Sequence, residues 1–267
     1  DALPIYQPIT RQSITNLVKN DKREDARALD EYRDIIIETN VISKAEGSAR
    51  VKLGKTQVMV GIKPQLGSPF PDTPELGVLM TNCEMLPMAD PTFEPGPPSE
   101  DSIELARVVD RGIRESELVD LDKLCVEEGK YVWMLFIDLH IIDNCGNLFD
   151  ASELAVMAAL KSMKLPVAEI VDEEIVLSDD EFFDLPINKE VAMCTFVKIG
   201  DKLVLDPTLT EERVADARLN IGVTSEGNIC AMQKGGFEPL TKEDITNAVN
   251  IRSEEHTSEL QSHQPIS

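Results

Sequence analysis

Histidine is nearly absent from this sequence: His140, His256 and His263 are the whole supply, and the last two lie close to the C-terminus. With so few imidazoles, Ser-His, Cys-His and His-metal chemistry have almost nothing to work with. Cysteine is sparse too. The five thiols, at positions 83, 125, 145, 194 and 230, show no paired spacing. An odd, scattered set points to reduced, mostly buried thiols and against a disulfide framework or a zinc site. Bases are outnumbered, with 26 Lys and Arg against 49 Asp and Glu, for a net charge of −23. A field of that sign excludes unaided binding to nucleic acid or anionic membrane, unless a local basic patch or a basic partner supplies the attraction. Long apolar runs are missing as well. The most apolar stretch, residues 131–142, is broken by Asp138 and His140 and falls short of the roughly 18 residues of a membrane span. No positively charged leader opens the chain, and it starts on Asp1, not Met. A cytoplasmic protein whose true start lies upstream is expected.

What is present reads as an α+β protein. Ile14, Leu17 and Val18 recur at helical spacing, with Ser13 a candidate N-cap, and the charged stretch KNDKREDARALDEYRD after them is helix-compatible. Alternating apolar residues from Ile35 to Ile62 then predict strands turning at Gly47 and at LGKT. Nine of the 16 prolines fall between positions 64 and 98, so that region is irregular around one strand, residues 77–86. Residues 102–116 form an amphipathic helix capped by Ser102. YVWMLFIDLHII reads as a buried strand, DNCGN as a plain hairpin turn, and residues 150–163 as a second apolar helix. Residues 165–188 hold eight acids and no base, which fits a solvated acidic hairpin or linker. A second block, VAMCTFVKIG, KLVLDPT, ARLNIGVTSEG and NICAMQKGG, gives four short strands before a helix beginning after Thr241. Strands followed by helices in two blocks suggest layered halves, residues 1–188 and 189–251, not a doubly wound sheet. Residues 252–267 lack periodicity, and RSEEHTSELQSH resembles a translated sequencing-library adapter. That tail is expected to be foreign, the native end cut short, and it is set apart from fold reasoning.

Among candidate sites, IELARVVDRGIRES is the sharpest. Arg107, Arg111 and Arg114 fall at i, i+4 and i+7, one stripe of a helix. Guanidiniums in a row can grip phosphates; the alternative is pairing with Glu104, Asp110 and Glu115. Asp206 and Glu212 bracket a Pro turn in LDPTLTEE and could hold a metal or act as acid and base, though solvated surface is the commoner fate of such a pair. DNCGN offers neither the glycines nor the hydroxyl and base of a phosphate cradle. His140 reads as a satisfied core histidine, and Cys125 and Cys145 as structural thiols. Lys52, Lys55 and Lys63 read as ordinary solubilising surface, with a contribution to a positive edge as the alternative.

The ordered series KREDARALDEYRDI, EGSARVKLGKTQVMVGIK, PFPDTPELGVL, IELARVVDRGIRES, GNLFDASELAVMAAL and LDPTLTEE resembles the RNase PH family, and within it the non-catalytic subunit type of the archaeal exosome. The resemblance covers residues 20 to about 250. It implies an RNase PH-like fold with a larger first and smaller second half. It also implies a hexameric ring of three heterodimers, in which this chain alternates with a catalytic RNase PH-like sister, under RNA-binding cap subunits, to degrade RNA from the 3′ end with phosphate. Catalytic members carry a Gly-Gly-Thr-Arg type loop where this chain has Cys145-Gly146-Asn147-Leu148. They carry two aspartates six residues apart, of which this chain keeps Asp206 but has Glu212 at the second position. The resemblance thus implies a subunit inactive by itself, with no cofactor or metal, whose Arg111 and Arg114, then Arg107, contact single-stranded RNA. The enzyme alternative is an active phosphorolytic exoribonuclease using Asp206 and Glu212.

Overall fold

In the computed structural model, which describes residues 6–171 and 174–251, the elements follow in this order. α1 (Tyr6–Lys19) precedes β1 (Ile35–Thr39), β2 (Gly47–Leu53), β3 (Thr56–Gly67) and β4 (Val78–Met85). Then come α2 (Glu100–Glu115), β5 (Cys125–Glu127), β6 (Tyr131–Asp143), α3 (Leu148–Lys161) and the pair β7 (Lys164–Val171) and β8 (Glu174–Asp184). The second block is β9 (Val191–Ile199), β10 (Lys202–Leu205), α4 (Leu209–Val214), β11 (Ala217–Thr224) and β12 (Ile229–Gly236), followed by helical residues 242–251. The first sheet runs β1-β2-β3-β6-β4, with β5 off the path on β6. The second runs β10-β9-β11-β12.

The connection β4–α2–β6 is a crossover, because β4 and β6 pair in parallel and a hairpin cannot join parallel strands. α3 packs on β2 and β3 of the first sheet and on β9 of the second, so one apolar helix joins the two layers. Its Ala151, Ala155, Val156, Ala159 and Leu160 are solvent-free. Small residues let the backbones approach: a Cβ on Gly47 would lie 2.7 Å from the Ala159 carbonyl oxygen. The second sheet is covered by the last helix through Ala248, against Phe196, Leu205, Leu219 and Ile221, and by α1 through Ile14 and Val18.

Several expectations need correction. Ser13 lies inside α1 and is not its cap. α2 is capped by Ser99, whose side chain accepts from the Ser102 N–H, so the helix starts earlier than the apolar pattern did. β6 is not buried on both faces. Leu135, Ile137, Leu139 and Ile141 point inward, while Asp138 is exposed and His140 half-exposed, with Nδ1 3.4 Å from Glu84 Oε2. His140 is therefore no core histidine. The charged stretch at 20–34 is not helical. Asp21 and Ala26 adopt positive φ there, and its arginines reach into the fold, so tertiary ion pairs override helix propensity. DNCGN does not turn a hairpin; it carries β6 into α3. The adapter-like residues 252–267 lie outside the described residues. None of the five cysteines is in a disulfide; Cys83 and Cys194 are buried and the other three partly exposed. No helix of the described residues is long and apolar enough to cross a membrane.

Candidate functional site

The two halves meet where the β6–α3 loop touches the β10–α4 loop. Asn147, in the left-handed region at φ 56°, caps α3 by accepting from the Asp150 N–H. Gly146, at φ 90°, is forced by the neighbouring loop: a Cβ there would stand 2.4 Å from the Leu209 backbone nitrogen. The Leu209 N–H donates to the Cys145 carbonyl at 3.1 Å, which locks the loops together.

Asp206 lies at the centre of this junction. It is solvent-free and at φ 46°. Arg33 grips its carboxylate with Nη2 at 2.7 Å and Nε at 2.9 Å; Arg27 donates at 2.8 Å and Asn147 Nδ2 at 2.7 Å. Burial alone would raise the Asp206 carboxyl, but the Arg33 guanidinium outweighs it and holds it below the usual carboxylate range. Behind it, Arg23 is buried on Glu211 at 2.6 and 2.9 Å and on the Leu205 and Asp206 carbonyls. Asp206 is therefore no solvated surface acid. Its charge is fully engaged within the chain.

The loop that could cradle an anion is filled as well. Arg33 turns its remaining donors to the Cys145 and Gly146 carbonyls at 3.0 and 3.1 Å. Glu212 Oε1 accepts from the Asn147 N–H at 2.8 Å. The helix N-terminus thus already holds a carboxylate of the chain itself. Desolvation pushes Glu212 up to about 7, against the Asn147 N–H and the charges of Arg218 and Arg33. Asp150, bound by Thr195, Asn147 and Tyr32, is likewise pushed up to about 7 by burial. Among the described residues no group of three or more His, Cys, Asp or Glu is placed to hold a metal ion.

Sequence profiles of the 3′ exoribonuclease family match both halves, domain 1 over residues 31–166 and domain 2 over residues 189–255. The chain belongs to the RNase PH family. It is 61% identical over 252 residues to the exosome complex component Rrp42 of Methanothermobacter thermautotrophicus, covering 94% of this chain and 93% of that protein. It is 50% identical to the protein of the same name from Thermococcus kodakarensis, covering 93% and 92%. Among solved structures, it is similar to a chain of the Archaeoglobus fulgidus exosome with RNA bound to the active site, at TM-score 0.86 and 45% identity, covering 95% of this chain and 99% of that one. A chain of an archaeal exosome core matches at TM-score 0.82 and 42% identity, covering 95% and 98%.

The three stripe arginines stand apart from this junction, exposed along α2 of the RNase PH fold. They differ in engagement. Arg107 makes no ion pair or hydrogen bond among the described residues. Arg111 Nη1 donates to the neutral Gln233 Oε1 of β12 at 3.0 Å. Arg114 bonds both oxygens of Asp110, at 3.0 and 3.2 Å, and the Leu79 carbonyl of β4. The ion-pair alternative therefore holds for Arg114 alone. Glu104 pairs instead with Arg218, which stacks over Phe149 at 4.2 Å. Lys63 is engaged by Glu46.

Sequence reasoning missed Arg23, Arg27 and Arg33, because a charged run reads as solvated helix. It also missed Asn147, whose spacing to Asp150 is that of a cap and could have been read as one.

Proposed function

We propose that this chain is a non-catalytic subunit of an exosome ring. In that ring three copies alternate with three catalytic RNase PH-like sisters beneath RNA-binding cap subunits, in the cytoplasm. It shapes the sister's site and holds single-stranded RNA for 3′-to-5′ phosphorolysis through Arg111, Arg114 and Arg107. What supports the ring and RNA is the name Rrp42 carried by its relatives and the RNA-bound exosome among similar structures.

One observation carries the non-catalytic reading: Glu212 sits on the Asn147 N–H while Arg33 is spent on Asp206 and the loop carbonyls. Phosphorolysis needs inorganic phosphate to attack the terminal phosphodiester phosphorus while the P–O3′ bond breaks. The protein must therefore hold a dianion and spread the charge of the transferring group. Here a carboxylate stands at the N–H an anion would use, and Cys145-Gly146-Asn147-Leu148 presents neither base nor hydroxyl. The remaining acids repel phosphate.

The test is reconstitution with a catalytic RNase PH-like sister. The mixture is expected to release nucleoside diphosphates from RNA only with phosphate present, and this chain alone to release none. Phosphorolysis by this chain alone would support the enzyme reading through Asp206 and Glu212.

A further inference from the structure

β12 is an edge strand of the second sheet, and its last residues lie beside α2. Two ties fix this contact. Arg111 of α2 donates to Gln233 at 3.0 Å, and Glu104 of α2 pairs with Arg218 of β11, which stands opposite Gly235. Arg107 falls three residues after Glu104 and four before Arg111, so all three share one side of the helix. The stripe therefore runs along the end of β12.

Immediately past β12 comes Phe237, the most exposed large apolar side chain among the described residues. Its backbone is held on both sides. Before it, Gly236 sits at φ 77°, so close to β11 that a Cβ would lie 2.9 Å from the Ala217 Cα. The Gly236 carbonyl accepts from Lys234 Nζ at 2.6 Å. After it, the Glu238 N–H donates to the Asp216 carbonyl at 3.1 Å, and Leu240 packs on the second core. No more than about 7 Å of chain separates Phe237 from Gly235 and the Glu104 tie. The ring thus stands at the Arg107 end of the stripe.

A lone exposed apolar residue is ordinary on a protein surface. A phenyl ring wholly uncovered, on an anchored backbone and beside a row of guanidiniums, is a different matter. Single strands are held in that way, with cations tracking the phosphates and aromatic rings stacking on the bases. We infer that Phe237 is a stacking platform for a base of the RNA strand whose phosphates lie on the stripe. The inference rests on the proposed RNA-holding role of Arg107, Arg111 and Arg114. Stacking uses the π-face that every base has, so the contact is sequence-tolerant and works beside the acidic Glu238. A protein partner would want a contiguous apolar patch, whereas Phe237 is flanked by Lys234, two glycines and Glu238.

The test is anisotropy of a labelled oligoadenylate on the assembled ring in phosphate-free buffer. Phe237→Ala is expected to weaken binding about 5- to 150-fold, as loss of one stacked base does. Its slope of log affinity against log salt should match wild type, because no phosphate contact is lost. Phe237→Tyr should stay within about twofold of wild type, and Phe237→Leu should fall nearly as far as Phe237→Ala. Met232→Ala, on the exposed face of β12 turned from α2, should bind as wild type. One abasic nucleotide, walked along the strand, should at one position cost the wild-type ring about what Phe237→Ala costs. At that position it should cost the Phe237→Ala ring little more. Melting midpoint and ring assembly should not change, since the side chain is already exposed. Unchanged affinity in Phe237→Ala overturns the inference, as does full affinity in Phe237→Leu or equal weakening by Met232→Ala. Loss of ring assembly in Phe237→Ala overturns it in favour of a subunit contact, and a shallower salt slope in favour of a phosphate contact. A wild-type ring that binds no RNA overturns the RNA-holding reading itself, which separates the two failures.

Discussion

Replacing Arg107, Arg111 and Arg114 together with Gln removes three exposed guanidiniums without adding charge. For single-stranded nucleic acid, each phosphate contact contributes about 0.7 to the slope of log affinity against log salt. Full engagement of all three predicts a slope shallower by about 2 in the triple variant, about a 20-fold narrowing of its affinity gap to wild type between 50 and 200 mM salt. The structure ranks the single changes. Arg107 has no internal partner among the described residues and Arg111 has only the neutral Gln233, so each should remove close to a full contact. Arg114 is tied to both oxygens of Asp110 and to Leu79, so Arg114→Gln should remove less unless RNA displaces Asp110. Asp110→Asn should then raise the contribution of Arg114. The assay is fluorescence anisotropy of labelled single-stranded RNA on the assembled ring across that salt range. An unchanged slope in the triple variant, with assembly intact, would refute the stripe as an RNA ligand.

Other perturbations follow from the buried charges. Arg23→Met leaves Glu211 buried without its bidentate partner, and urea unfolding should show a loss of about 3–5 kcal/mol. Glu153 is solvent-free with neither carboxyl oxygen bonded, and burial, then Asp150 and Asp110, raises its pKa well above 4.5. The folded state therefore binds a proton that the unfolded state releases. That stabilisation is complete below pH 4.5 and is lost by about 1.4 kcal/mol per pH unit above it, up to the folded pKa. Glu153→Gln should flatten the stability curve above pH 4.5 relative to wild type, in denaturant titrations; parallel curves would contradict it. Gly112→Ala should destabilise, because the added Cβ would lie 2.5 Å from Glu153 Oε1. Combining it with Glu153→Ala should recover most of the loss in the same unfolding assay.

The strand blocks, the helix of the arginine stripe and the acidic hairpin were legible because each follows a period of two or 3.6, or a run of one charge. The junction around Asp206 was not. Its arginines belong to a stretch 20–34 whose composition matches a solvated helix, and only a buried acid about 180 residues away explains why it is not one. Glu212 was legible as a departure from the family pattern but not as an internal ligand of the Asn147 N–H. That role depends on the β6–α3 and β10–α4 loops meeting in space. The cap of α2 was misplaced by three residues because Ser99 and Ser102 are equally good candidates in sequence. β6 was read as a buried strand, and its half-exposed face went unseen, because Phe136 and Ile142 mask its alternation.

The most direct test of the non-catalytic reading keeps the ring and silences the sister. A ring is assembled from this chain and a catalytic sister whose active-site aspartate is changed to Asn, then given RNA and phosphate. The account predicts no nucleoside diphosphate above background, while the same ring with the intact sister is active. Phosphate-dependent release from the silenced ring, abolished by Glu212→Gln in this chain, would contradict it.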